Sequence, residues 1–458
     1  MYEPTERSEP SAPSVRIINL SVGNAYKIFG NQMSPWARLV DWLSEKYSVL
    51  FVISAGNITS DLEVGVRRDT FPTLTSEERR DETLKALLAN SSTRRIMSPA
   101  ESINALTVGA MHADSSAPLI PASRFDLFAD AMVSPVSRIG HGYGRSVKPD
   151  ILMPGGRLLH SVDLISPPAT TVLGIVTTAA APGHLVARPP GTGGSLAETE
   201  HCRGTSNATA LASRAGAKAY EVIENLREQG GDLPSEFDAV LLKAMLVHGA
   251  SWGDLSDSLL KQAPSFDHIE HPSVRETKKR DLVSRWLGYG PVDENRVLSC
   301  ADNRATLLGI GSVGKDQAVE FSAPMPPGLT GVVAWRRMTV TLAWISPTSP
   351  AHRKYRKAKL WIDPPKNFET ARKNSNNYYT VQRGTVQHEV WEGEQKALAF
   401  VDGDVFVCKV NCMEDAAGLT GDVKFALCVS LEVAVDSGIS IYQEIKERIA
   451  PAVRVTPR

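Results

Sequence analysis

Apolar positions along the chain change their period once, near residue 295. Before it, residues 15–22, VRIINLSV, make a short β-branched run that predicts a strand. PWARLVDWLSEKY, residues 35–47, puts Trp36, Leu39, Val40 and Leu43 on one helical face, with Pro35 at the first helical position and Ser34 as N-cap. SVLFVIS, residues 48–54, is almost wholly apolar and predicts a buried strand. Strand, helix, buried strand predicts a parallel sheet covered on both faces. NALTVGA, residues 104–110, adds another strand, and residues 60–98 between them are polar and charged, which predicts an inserted helical excursion. Helices are predicted over 207–227 and 237–248.

Beyond residue 295 the pattern alternates. MTVTLAWI, residues 338–345, sets Val340, Leu342 and Trp344 on one face, and FALCVSLEVAV, residues 425–435, is a similar run. FVDGDVF, residues 400–406, carries an Asp-Gly hairpin turn. The expected fold class is α/β: a parallel sheet with helices on both faces, followed by an antiparallel, sandwich-like β domain. The expected divisions are a polar segment over 1–14, the α/β part over 15–295 and the β-rich part over 296–458. No internal repeat is visible.

Composition narrows the function. The 458 residues carry 42% hydrophobic and 22% charged side chains, and a formal net charge of -1, which gives no reason to expect a nucleic-acid or membrane partner. The basic stretch HRKYRKAK, residues 352–359, reads as an exposed polar loop. The polar start lacks the basic and apolar regions of a secretory signal, and no apolar run reaches membrane-span length. Five cysteines without a CxxC pair favour reduced thiols and no zinc. Asn19, Asn57, Asn90 and Asn207 begin Asn-x-Ser/Thr sequons; a glycan at Asn57 or Asn207 would block the candidate site that those two residues border. These features together predict a cytoplasmic protein. No cofactor is expected: GIGSVG, residues 309–314, fits a dinucleotide fingerprint, but the KDQAVEFSAPMPP after it cannot open a long helix. No calcium-binding loop is readable.

The chemistry lies in CRGTSNATALASR, residues 202–214. Ser206 precedes a run of alternate alanines that can pack closely on a sheet. At a helix N-terminus the backbone N–H groups are unpaired and the dipole favours negative charge. That suits an acyl-transfer nucleophile whose reaction develops an oxyanion. On this segment alone, Thr205 or Ser206 reads equally as a helix N-cap. Asn57, at the carboxyl end of the buried strand, adds a side-chain amide where binding groups collect in parallel sheets.

GTSNATA (204–210) resembles the nucleophile motif of the subtilisin-like serine proteases, with Asn207 where methionine is commoner. VISAGN (52–57) resembles their oxyanion-asparagine motif, and IINLSVG (17–23) their substrate-binding strand. PAESINALTVGAMHAD (99–114), VSRIGHGYGRSVKPDILMPGG (136–156), and LLKAMLVHGA with LGYGPVD (241–293) continue the likeness in the family's order. The resemblance implies peptide-bond hydrolysis through an acyl-enzyme on Ser206. It implies Asn57 and the Ser206 N–H as oxyanion donors. Ser21, Val22 and Gly23 would pair with an extended peptide or protein substrate, and Ala55 and Gly56 would line the pocket for the side chain before the scissile bond.

In this family the aspartate and histidine precede the serine, and no motif for either occurs here. His201 and His141 are the candidate surrogate bases. Three readings are open: the nucleophile-bearing part of a longer enzyme, with the N-terminal strands of the fold missing; one half of a split enzyme whose partner polypeptide carries Asp and His; or a pseudoprotease that binds peptides without cutting them. The segment 157–203, with PPGTGGS at 189–195, is expected to be a mobile loop near the site. Residues 15–22 are expected to form an exposed sheet edge.

Overall fold

A computed structural model describes residues 12–117, 123–191, 194–350, 352, 354–363, 371–372, 376–394, 396–397 and 404–448. The hairpin turn expected at Asp402-Gly403 lies outside them. β1 (Ile17–Leu20), α1 (Pro35–Tyr47) and β2 (Leu50–Ser54) form the unit that the apolar pattern predicts. Ser34 caps α1, accepting from the Ala37 N–H at 3.0 Å. The excursion holds a short strand, β3 (Leu62–Val64), as well as a helix, α2 (Ser76–Ala89). β4 (Leu106–Met111), β5 (Phe125–Asp126) and β6 (Ile151–Pro154) come next.

The main sheet runs β1-β2-β4-β6 with every pair parallel. β1 is its edge, paired to β2 alone among the described residues. Alternation divides β2: Leu50 and Val52 face one apolar core, and Phe51 and Ile53 face another beneath α1.

The buried stripe of α1 differs from the expected one. Ala37, Val40, Asp41 and Ser44 are inside, while Leu39 is 51% exposed. Asp41 accepts from the Ser102 hydroxyl at 2.6 Å, the Asn104 N–H at 2.9 Å and the Tyr355 hydroxyl at 2.9 Å. Val40 is in the core and Trp36 and Leu43 pack against it, so the expected face is widened by a buried, fully hydrogen-bonded carboxyl group and only Leu39 falls outside it.

The segment expected as a mobile loop is built of strands: β7 (Leu159–Val162), β8 (Thr171–Ile175), β9 (His184–Ala187) and β10 (Thr199–Cys202). β7 and β8 join β3 and β5 in a small antiparallel sheet, while β9 and β10 form a ribbon. Backbone pairing of β8 to β3, about a hundred residues upstream, holds the first half of this segment; local composition does not reveal it.

α3 (Thr205–Glu228) and α4 (Asp238–His248) cover one face of the parallel sheet. All eleven residues of α4 are buried, the polar Asp238, Lys243 and His248 included, because the helix is covered on every side. α5 (Leu255–Gln262), α6 (Pro272–Leu287) and α7 (Glu294–Leu298) lead into the β-rich part. There β11 (Arg304–Val313), β12 (Ala318–Pro324), β13 (Arg336–Trp344), β14 (Ala358–Ile362) and β15 (Ala371–Arg372) precede a short helix, α8 (Tyr378–Val381). β16 (Val386–Gly393), β17 (Val405–Glu414), β18 (Val423–Val433) and α9 (Ile441–Arg448) complete the described chain.

Two antiparallel sheets, β11-β18-β13-β16-β15 and β12-β17-β14, enclose an apolar core. Val340, Leu342 and Trp344 point into it, as their alternation requires. The opposite face of the larger sheet carries Thr341, Ala343, Ala426, Cys428 and Ser430. His248 of α4 reaches Thr341 at 2.8 Å and Ser430 at 2.5 Å. One core therefore runs from the parallel sheet through α4 to the β-rich part. GIGSVG lies on β11, where Cβ atoms at Gly309 and Gly311 would come within 2.9 Å of the Phe321 and Phe425 rings. The basic stretch is not all exposed: Arg356 is buried and pairs with Asp415 at 2.8 Å.

Candidate active site

The loop before α3 is built around Gly204. Its N–H bonds to the Gly155 carbonyl at 2.7 Å, and its φ of 128° is a conformation that glycine supplies without strain. A Cβ there would lie 2.8 Å from Asn57 Nδ2. Gly204, not Thr205 or Ser206, is the N-cap. Both hydroxyl residues lie inside the first turn, where backbone N–H groups have no intrahelical acceptor. Ala208, Ala212, Ala215 and Ala219 are fully buried and bring α3 down onto the sheet.

Asn57 comes three residues after β2. Its Oδ1 accepts from the Thr205 N–H and the Thr205 hydroxyl, each at 2.9 Å. A backbone N–H only donates, so this contact fixes which end of the amide is oxygen. Nδ2 is then left with its two hydrogens, unclaimed among the described residues, beside the first turn that holds the Ser206 N–H. The Arg138 side chain holds the Asn57 carbonyl at 3.2 Å.

Ser206 is stitched to the end of β1. Its hydroxyl donates to the Ser21 carbonyl at 3.3 Å, and the Ser21 hydroxyl donates to the Ser206 carbonyl at 3.3 Å. Val22, next along, is 57% exposed. The Ala55 N–H bonds to Val108 at 2.9 Å, and its carbonyl accepts from the Met97 N–H at 3.1 Å. Met97, which the sequence pattern does not single out, lies against Gly56 of the expected pocket and Gly23 of the expected substrate-pairing strand. A Cβ on Gly23 would lie 2.9 Å from its Cε, and one on Gly56 would lie 2.9 Å from its Sδ. Gly56 also has a φ of 99°. The signal available was position: Met97 stands two residues before the segment PAESINALTVGAMHAD.

Neither surrogate base meets Ser206. His201 lies on β10, its N–H bonded to the Ala179 carbonyl. The His141 ring is 3.2 Å from Asp281 on α6. Burial lowers its pKa, outweighing that carboxylate. A buried His–Asp pair exists, His112 with Asp126 at 2.6 Å, but the other His112 ring nitrogen accepts from the Leu158 N–H at 3.4 Å. Both ring nitrogens are thus spent within the β5–β7 region. Among the described residues no histidine hydrogen-bonds to Ser206.

The Subtilase family model matches residues 5–290, and the chain belongs to that family. A curated relative, the uncharacterized protein y4bN of Sinorhizobium fredii (strain NBRC 101917 / NGR234), is 29% identical over 158 residues. That match spans 31% of this chain and 32% of the relative, so the chain matches about a third of that relative's length. Among solved structures, the prenylagaramide maturation protease PagA aligns with a TM-score of 0.32 and 16% identity, over 62% of each chain. A point mutant of the protease domain of PatA aligns with a TM-score of 0.29 and 16% identity, over 62% of this chain and 58% of that one. Among the described residues no helix is long and apolar enough to cross a membrane.

Proposed function

We propose that the chain is the nucleophile-bearing part of a subtilisin-type serine endopeptidase. The observation that carries this reading is the Asn57 amide. Thr205 pins its oxygen, leaving its two N–H bonds to donate beside the Ser206 N–H. Two donors placed before reaction begins stabilise an oxyanion without reorganisation, and the N-terminus of α3 adds its dipole.

A substrate strand pairs with the backbone of Ser21, Val22 and Gly23. Its residue before the scissile bond enters the pocket of Gly23, Ala55, Gly56 and Met97. Ser206 Oγ attacks the carbonyl, giving a tetrahedral oxyanion and then an acyl-enzyme that water hydrolyses. The Ser206 proton must pass to a base, because a serine hydroxyl is scarcely ionised near neutral pH. We assign that base to a polypeptide segment bearing an aspartate and a histidine, in cis or in trans, that pairs along β1. Supporting this, β1 is an open edge among the described residues, and its Ile18 and Leu20 are only partly buried. Its carboxyl end also abuts Ser206.

A second reading has its own observation: the Ser206 hydroxyl is engaged with the Ser21 carbonyl and meets no histidine. On that reading the chain is a peptide-binding pseudoprotease. The test measures hydrolysis of a mixed peptide library and fluorophosphonate labelling of Ser206, for the chain alone and for the chain joined to a subtilase Asp/His-bearing half. The proposal expects little activity alone and a large gain on joining. Peptide binding with no cleavage in either form would favour the pseudoprotease. Efficient cleavage by the chain alone would overturn the missing-base argument, and His201→Ala and His141→Ala would then locate the surrogate.

A further inference from the structure

Arginines gather where α6 meets the loop 140–146 and the turn after α8. The Gly140 N–H donates to the Arg285 carbonyl at 2.9 Å, and Arg285 Nε donates to the Gly140 carbonyl at 3.4 Å. Arg145, on the same loop, donates to Asp281 Oδ2 of α6 at 3.3 Å. The turn that carries Arg383 sits against this loop, where a Cβ on Gly384 would lie 3.6 Å from Ser146 Cβ. Arg285 feels the like charge of Arg95 as well as that of Arg145, and Arg383 feels that of Arg145. Behind them, Arg138 donates to the Arg95 carbonyl at 2.9 Å and adds a further positive charge.

Against Arg95, Arg145, Arg285 and Arg383 stands one carboxylate, Asp281, and it is already divided. Its Oδ1 faces the His141 ring at 3.2 Å and its Oδ2 faces Arg145. The neighbouring carboxylates are spent on other cations: Asp415 on Arg356 at 2.8 Å and Lys354 at 3.6 Å, Glu276 on Arg280 at 2.9 Å, and Glu389 on Arg372. Among the described residues the Arg383 side chain has no hydrogen-bond or ion-pair partner, and Arg285 bonds only to a neutral carbonyl. A second observation points the same way. The His141 side chain is 10% exposed, and its Nδ1 has no hydrogen-bond partner among the described residues. Buried polar atoms are ordinarily satisfied, so a polar group is missing beside the cluster.

We propose that Arg145, Arg285 and Arg383, with Arg95 and His141 beside them, bind a phosphate-type dianion, either free or carried as a phosphoryl group. Planar guanidinium groups present paired N–H donors that match the oxygen edges of phosphate. The surplus of positive charge favours a dianion over a monoanion, and the bound charge offsets the repulsion among the arginines. The site uses neither Ser206 nor Asn57, so it is independent of the peptidase reading.

The test is titration calorimetry of the full chain at about pH 8, where phosphate is a dianion. The titrants are inorganic phosphate and a phosphoserine peptide with its unphosphorylated form; sulfate and chloride at equal ionic strength are the competitors. One saturable site is expected, displaced by sulfate and not by chloride. Comparable affinity for phosphate and the phosphopeptide would make the free ion the ligand; a much tighter phosphopeptide, with its unphosphorylated form silent, would make it a phosphoryl group on a protein. Arg383→Glu, at an exposed position, should weaken binding at least about tenfold, and Arg145→Glu should do the same if the first variant does not fold. Lys85→Glu makes the same change of charge on α2 and should leave binding unaltered. Absence of saturable binding for both titrants, displacement by chloride as readily as by sulfate, or equal losses in Arg383→Glu and Lys85→Glu would each overturn the proposal.

Discussion

Replacing Asn104 by alanine should be among the most destabilising single changes in the molecule. Asn104 is fully buried where the entrance to β4 meets the β-rich part. Its Nδ2 donates to the Asp41 carbonyl at 3.1 Å and the Ser346 carbonyl at 2.9 Å, and its Oδ1 accepts from the Ser346 N–H at 2.9 Å. Ser346 is also fully buried, so water cannot readily replace the lost partners. Each buried group left unpaired costs about 1–3 kcal/mol. Three such groups give a loss of about 3–9 kcal/mol, a large share of the ~5–15 kcal/mol that stabilises a domain. Urea unfolding followed by tryptophan fluorescence would read this as a fall in midpoint at unchanged m. A single transition is expected, because one apolar core spans both parts. Asn104→Asp separates the cause from mere loss of volume. It keeps the shape but puts acceptors where the Asp41 and Ser346 carbonyls need a donor, and adds charge near the buried Asp41 carboxylate. It should therefore cost at least as much as alanine. A loss below about 1 kcal/mol for Asn104→Ala, or a milder effect for Asn104→Asp, would refute the reasoning.

Three further outcomes are expected. In the chain joined to an Asp/His-bearing half, Asn57→Ala should lower turnover by about two orders of magnitude or more with a smaller change in apparent substrate affinity; a loss no greater than that of the surface change Lys357→Ala would remove Asn57 from the oxyanion site. In the same joined chain, Met97→Ala should raise kcat/KM for substrates with a bulky side chain before the scissile bond relative to those with alanine there, since Met97 fills the space between Gly23 and Gly56; an unchanged ratio would place that pocket elsewhere. Lys243 is fully buried and its pKa is lowered by burial to about 7, against 10.5 when free. Between those values the unfolded chain binds the extra proton, so this group's contribution to stability rises with pH from about 7 to 10.5 and is lost as pH falls through 7. Lys243→Met should flatten that part of a stability–pH curve, and a slope equal to that of the unaltered chain would show that Lys243 is not its source.

Much of the fold was legible because some of its rules are local. The run LFVIS is apolar enough to be a strand covered on both faces, and β2 is that strand. The alternation of Val340, Leu342 and Trp344 marks the face that β13 turns into the sandwich. Ser206 and Asn57 stood out as candidates because each sits in a short contiguous pattern, at a helix start and at a strand end. What remained hidden depended on partners far away in the chain. The apolar stripe of α1 named the core face at Val40, Trp36 and Leu43 but missed Asp41, which is buried against Tyr355, 314 positions distant. Within 157–203, β7 and β8 are held in a sheet because β8 meets β3, while β9 and β10 pair with each other. Arg356 leaves an apparently exposed basic stretch because Asp415 awaits it inside. Met97 meets Gly23 and Gly56 only when the segment after β1 and the turn after β2 close around it. Hydrophobic period measures what a side chain loses by leaving water, and the sequence carries that directly. Whether a polar side chain can be buried depends on a hydrogen-bonding partner being brought to it, and only the folded arrangement of distant segments decides that.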